Sequence, residues 1–199
     1  MTDLTRRQMV GLLVGAPLAA ALRVPPATVE RALREAQDLT VSGRSYDPRF
    51  FTAHEWETVR ILADLVLPGD ERSGGATDAA VPEYMDYILA EFPDSQRWMR
   101  DGLAWLNAEC GRRFSKTFVQ CAGADQTAVL NDIAWPARAR PEVKEGVEFF
   151  NRFRDFTASG FWSSRMGVED LQYRGNTVVP EWTGCPPEAL RKLDVTYGE

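Results

Sequence analysis

Apolar positions recur at spacings of three and four along most of this chain, the period of helices with one buried face. Pro25-Pro26 precedes the first such stretch, and Pro26 suits the opening turn of a helix over about 27–38. Val29, Leu33, Ala36 and Leu39 form its apolar stripe, with Glu30, Arg31, Arg34 and Glu35 facing out. Residues 42–48 read as a loop. Thr52 followed by Glu55 is a capping-box pattern, and Trp56, Val59, Leu62, Ala63 and Val66 mark the buried face behind it. Pro68-Gly69-Asp70 ends that helix, and residues 68–80 read as a long, flexible, glycine-bearing loop.

Pro82 opens a helix carrying Met85, Ile88, Leu89 and Phe92. Pro93-Asp94-Ser95 breaks it and caps a longer helix reaching about Phe114. Trp98, Gly102, Trp105, Leu106 and Cys110 fall along one side, where Gly102 permits close approach of another helix. A helix over about 124–134 turns Val129, Leu130 and Ile133 inward and ends at Trp135-Pro136. Pro141 opens another, bearing Val143, Val147, Phe150, Phe153 and Phe156, which Gly160 is expected to stop near Ser159. From Phe161 the periodicity dissolves among Gly167, Gly175, Pro180, Gly184, Pro186 and Pro187. No run alternates as a strand does over more than a few positions. The pattern predicts an all-α protein: an irregular bundle of about six helices, then an extended, aromatic-rich C-terminal tail.

The N-terminus departs from this pattern. Residues 8–22 carry no charge, and two glycines and a proline interrupt them, unlike an amphipathic surface helix. Arg6-Arg7, the apolar run from Met9 to Leu18 and then Ala19-Ala20-Ala21 have the layout of an export signal with a small-residue cleavage site at Ala19 and Ala21. The adjacent arginines after Thr5 give it a twin-arginine look. The run is shorter than the ~20 apolar residues of a membrane span; an uncleaved anchor is the competing reading. Residues 1–21 are therefore assigned to a twin-arginine signal and 22–199 to a single helical domain, placing the protein in the periplasm.

Composition narrows the function classes. The net charge of −6, without a basic stripe, argues against nucleic-acid binding. Six Trp and ten Phe supply a core and, potentially, a contact surface. The three cysteines, Cys110, Cys121 and Cys185, leave an odd thiol over. Cys110 and Cys121 straddle a helix end and the following loop and could meet; no pair is assigned from the residues.

Candidate chemistry is sparse. The chain has no G-x-G-x-x-G, Walker or C-x-x-C-H pattern. Its single histidine, His54, sits in the first turn of a helix without a G-x-S-x-G partner and reads as a surface residue. The cysteines are too widely spaced for an ordinary iron–sulfur site. Asp64, Asp70, Glu71 and Asp78 lack the spacing of a calcium loop and read as a solvated acidic loop. No catalytic, cofactor-binding or metal-ligating residue is assigned. The aromatics from Phe161 onward can wrap on the core, line a ligand pocket or dock on another protein.

The stretches FTAHEWETVRILADLVLPGD and VPEYMDYIL, GLAWLNAECGRRFSKTF, and FFNRFRDFTASGFWS with LQYRGN and PEWTGCP occur in that order. In this order the chain resembles the gluconate 2-dehydrogenase subunit 3 family, in which a twin-arginine signal is usual. The resemblance implies a non-catalytic small subunit. Its expected partners are a large flavoprotein of the glucose-methanol-choline type, which holds FAD, a cytochrome c carrying haem c as electron acceptor, and the twin-arginine translocase. It further implies that the small subunit escorts and stabilises the large one, with membrane association through the complex. Phe161, Trp162, Tyr173, Arg174, Asn176 and Trp182 are the candidate partner contacts. Cys110 and Cys121 depart from the family pattern, so a local disulfide and an intersubunit one through Cys185 both stay open. The alternative is a stand-alone periplasmic sugar-binding or enzymatic domain.

Overall fold

A computed structural model describes residues 24–43, 45–172, 184–185 and 187–197. The export-signal assignment and the contact candidates Tyr173, Arg174, Asn176 and Trp182 lie outside the described residues. Among those residues the fold is all-α, with no strand and with eight α-helices: α1 (Pro26–Ser42), α2 (Ala53–Val66), α3 (Val81–Glu91), α4 (Gln96–Phe114), α5 (Gly123–Ile133), α6 (Lys144–Ser163), α7 (Arg165–Asp170) and α8 (Pro187–Leu193). Short 3₁₀ turns at Pro93–Ser95 and Pro141–Val143 lead into α4 and α6.

Helix α6 is the hub. Its phenylalanine-rich face packs on α2, α3, α4, α5 and α7. Phe153 and Phe161 are fully enclosed there, with Phe156 nearly so. Each such ring contributes about 2–3 kcal/mol of transfer free energy, which explains why this face organises the bundle. Two glycines set the helix spacings. A Cβ on Gly102 of α4 would lie 1.9 Å from Phe149 Cδ2 of α6, so the expected close approach occurs and a ring fills it. A Cβ on Gly146 of α6 would meet Trp105 Cη2 at 2.2 Å.

The capping box forms as expected at α2. Thr52 Oγ1 accepts from Glu55 N at 3.3 Å, and Glu55 Oε2 accepts from Thr52 N at 2.8 Å. Burial disfavours the Glu55 charge, but the Thr52 donors and Arg100 outweigh it and hold the carboxyl below its usual value. Arg100 reaches Glu55 at 2.7 Å and the Phe50 carbonyl at 2.9 Å, tying α4 to the entry of α2.

Several expectations are corrected. Gly160 does not stop α6, which runs to Ser163; there Gly160 instead admits Tyr84 of α3, at 2.8 Å from a notional Cβ. Phe161 and Trp162 are therefore helical, and Ser164 starts α7 by accepting from Gly167 N at 3.1 Å. Within the region expected to be extended, the short helices α7 and α8 follow. Ser95 precedes α4 without a side-chain cap; the 3₁₀ turn delivers the chain instead. The buried line of α1 runs through Thr28, Ala32 and Ala36, with Val29 and Leu33 at its edge. These small side chains let α1 lie close on α3.

Residues 68–80 form a folded corner rather than a flexible loop. Asp64 accepts from Thr77 N at 2.8 Å and from Thr77 Oγ1 at 2.7 Å. Asp78 accepts from Gly75 N at 2.8 Å, and Ala76 N donates to the Leu67 carbonyl at 2.9 Å. Ala76, Ala79 and Ala80 are buried beneath this corner. Asp70 likewise accepts from Arg72 N and Ser73 N, so three of the acidic side chains satisfy backbone donors, a local turn chemistry that spacing alone conceals.

Candidate partner-binding surface

The described C-terminal residues offer exposed apolar surface. Helix α8 buries none of its residues. Leu193 is 68% exposed and Tyr197 59% exposed. Cys185 is an exposed thiol whose backbone N–H donates to the Tyr197 hydroxyl.

Of the expected contact residues, Phe161 is fully buried, which removes its ring from any exposed surface. Trp162 is half-buried and stacks edge-on against Phe161, with centroids 4.9 Å apart and planes at 88°. Its indole N–H is enclosed without a hydrogen-bond partner among the described residues. Beside this end of α6, a cleft of about 220 Å³ is lined by Leu33, Ala36, Tyr84, Gly160, Met166 and Glu169, among others.

A second surface lies where α4 crosses α6. Trp98, Gly102, Trp105, Phe149 and Arg152 line a groove of about 370 Å³, with Asp101, Glu145 and Glu148 on its rim. The Arg152 guanidinium sits 4.8 Å from the Trp98 ring centroid, a cation–π arrangement. The Trp98 indole N–H also lacks a partner among the described residues. Sequence reasoning placed both tryptophans on the buried side of α4 and missed the groove. The signal was present in Gly102 and Gly146, whose missing side chains make room for Phe149 and Trp105.

Of the groups able to do acid–base work, Asp101, Glu145 and Glu148 stand on the rim of the groove, and Asp78 and Glu169 line the cleft. His54 is exposed, as expected, and its Nε2 lies 3.2 Å from Asn107 Nδ2, an amide rather than a hydroxyl or carboxylate. Burial raises the Glu83 carboxyl, opposed by a backbone hydrogen bond and by Arg60, with Glu83 Oε1 3.7 Å from Arg60 Nη1. Glu83 lines neither the cleft nor the groove. Among the described residues, no three His, Cys, Asp or Glu side chains are placed to hold a metal ion. No helix among them is long and apolar enough to cross a membrane.

Exposed apolar side chains such as Leu193 at the end of α8 and Tyr197 beyond it, and half-buried tryptophans, are the material of protein contact surfaces. A family model described as gluconate 2-dehydrogenase subunit 3 matches residues 53–180, from the start of α2 to beyond α7. The match excludes α1, Trp182, Cys185 and α8. No curated protein and no solved structure matches the chain.

Proposed function

The chain belongs to the gluconate 2-dehydrogenase subunit 3 family, a family of subunits that work beside a catalytic subunit, and on that premise we propose that it is a non-catalytic, exported escort. Its partner is a large flavoprotein of the glucose-methanol-choline type that holds FAD and oxidises a sugar, sugar acid or glycoside. A cytochrome c with haem c takes the electrons. The family match carries this reading, and the exposed apolar side chains Leu193, Val195 and Tyr197, at the end of α8 and just after it, support it. Arg6-Arg7 is the address for the twin-arginine translocase, and Ala19 and Ala21 mark the cleavage site. The periplasm is the destination, with membrane association through the complex.

Trp162 with Tyr173, Arg174, Asn176 and Trp182 forms the contact set in this proposal, while Phe161 supports Trp162 from the core. The test is co-expression of the chain with the flavoprotein of its own organism, followed by size-exclusion chromatography. Co-elution of the two chains with bound FAD is the expected result. Separate elution of a stable, active flavoprotein, together with sugar binding by the small chain alone in calorimetry, would favour a stand-alone sugar-binding domain instead.

A further inference from the structure

Cys110 and Cys121 approach each other through the local folding of the chain. Cys110 is fully enclosed in the last turns of α4, and Cys121 is 7% exposed. Between them Ser115 takes a left-handed conformation, φ 55°, that ends α4 and turns the chain back. Asn107 Oδ1, one turn before Cys110, accepts from Phe118 N at 2.9 Å. Gln126 of α5 donates to the Phe118 carbonyl at 2.9 Å. Cys121 N bonds to the Thr117 and Phe118 carbonyls at 3.1 and 3.2 Å. The 117–121 turn is thus held against α4 by partners on α4 and α5, which makes the two thiols neighbours.

We propose that Cys110 and Cys121 are a redox pair that closes to an intrachain disulfide when the folded protein meets a disulfide-bearing oxidant. Cys121, the less enclosed thiol, reacts first. Its thiolate attacks one sulfur of the oxidant's disulfide, that S–S bond breaks, and one oxidant thiol leaves with a proton. The Cys110 sulfur then attacks Cys121 Sγ, passing its own proton to the second departing oxidant thiol. Two protein thiols lose two electrons and two protons, and one oxidant disulfide becomes two thiols. Burial and the neighbouring Cys121 push the Cys110 thiol up to about 12, which disfavours it as the first thiolate to attack. The product straps the end of α4 to the entry of α5. It leaves Cys185 as the odd thiol. None of this depends on the flavoprotein partner.

The purified full chain, reduced and then exposed to oxidised glutathione, is unfolded with an alkylating agent present and digested with trypsin. Cys110 and Cys121 fall in separate tryptic peptides, 101–112 and 117–138. The expected product is the disulfide-linked pair of these peptides, with Cys185 alkylated. Independent alkylation of both peptides, or linkage of either to Cys185, overturns the proposal. In a parallel melt, adding reductant lowers the wild-type melting temperature by about 6–10 °C, the shift expected for a loop of this size in a chain of this length. The Cys110→Ala/Cys121→Ala protein shows no reductant-dependent shift; an equal shift in that variant also overturns it. Peptide mapping of the wild type decides the matter if the variant fails to fold.

Discussion

Asp86 Oδ2 accepts the Tyr46 hydroxyl at 2.8 Å, across forty residues of chain. The same fully buried carboxylate accepts from Arg49 N at 2.7 Å and from Phe50 N and Phe51 N at 3.0 Å each. Four donors match the lone-pair sites of one carboxylate. They fasten the segment before α2 onto α3. Burial, then the Asp86 hydrogen bond and charge, push the Tyr46 hydroxyl well above its ordinary value, keeping it a donor.

Asp86→Ala leaves three backbone N–H groups, two of them buried, without their acceptor and is expected to cost about 3–5 kcal/mol. Tyr46→Phe removes a single bond and is expected to cost about 1 kcal/mol. Urea unfolding of both variants measures the ratio. Equal effects would show that the backbone donors contribute little.

The two glycines of α4 should respond oppositely. Gly102→Ala drives a methyl into Phe149 and is expected to destabilise by about 1–3 kcal/mol. Gly111 has open space around its notional Cβ, so Gly111→Ala is expected to stabilise by about 0.5–1 kcal/mol through helix propensity. Thermal melts of the pair check both signs.

These glycines show how far the sequence could be read. Apolar period and prolines were enough to place α1 to α6, and Gly102 announced its close contact. Gly160 misled because a glycine that ends a helix and one that admits a neighbouring ring look alike until Tyr84 is in place. Asp86 was invisible for a related reason: its donors come from residues far away in sequence, and no local period reports them. The groove at Trp98 and Trp105 was hidden because a half-buried tryptophan has the same spacing as a buried one.

Glu109 gives the fold an acid-sensitive joint. Arg112 Nε reaches it at 2.9 Å and Arg113 Nε at 2.6 Å, while Arg113 Nη1 continues to Asp132 of α5 at 2.7 Å. Hydrogen bonds from Arg112, then Arg113, hold the Glu109 carboxyl at about 2 against the penalty of burial, below the 4.5 of a free glutamate. A depressed carboxyl stabilises the folded state above its unfolded value and loses that contribution as pH falls toward the folded one. Wild-type stability is therefore expected to fall between about pH 4.5 and 2. Glu109→Gln is expected to be less stable at pH 7 and to show a shallower decline over that window, in denaturant titrations at each pH.

Trp182 lies outside the described residues and tests the contact set directly. Trp182→Ala is expected to weaken association with the flavoprotein by about 2 kcal/mol, roughly thirtyfold in Kd. Biolayer interferometry with the immobilised flavoprotein reads this. Unchanged affinity would remove Trp182 from the interface.

The central claim is that this chain carries a larger enzyme out of the cytoplasm. Its most direct test is the flavin-dependent dehydrogenase activity of periplasmic extracts from cells making the flavoprotein with the wild-type chain, with an Arg6→Lys/Arg7→Lys chain, or alone. The account predicts periplasmic activity with the wild-type chain only. Full activity in the periplasm without the chain would contradict it.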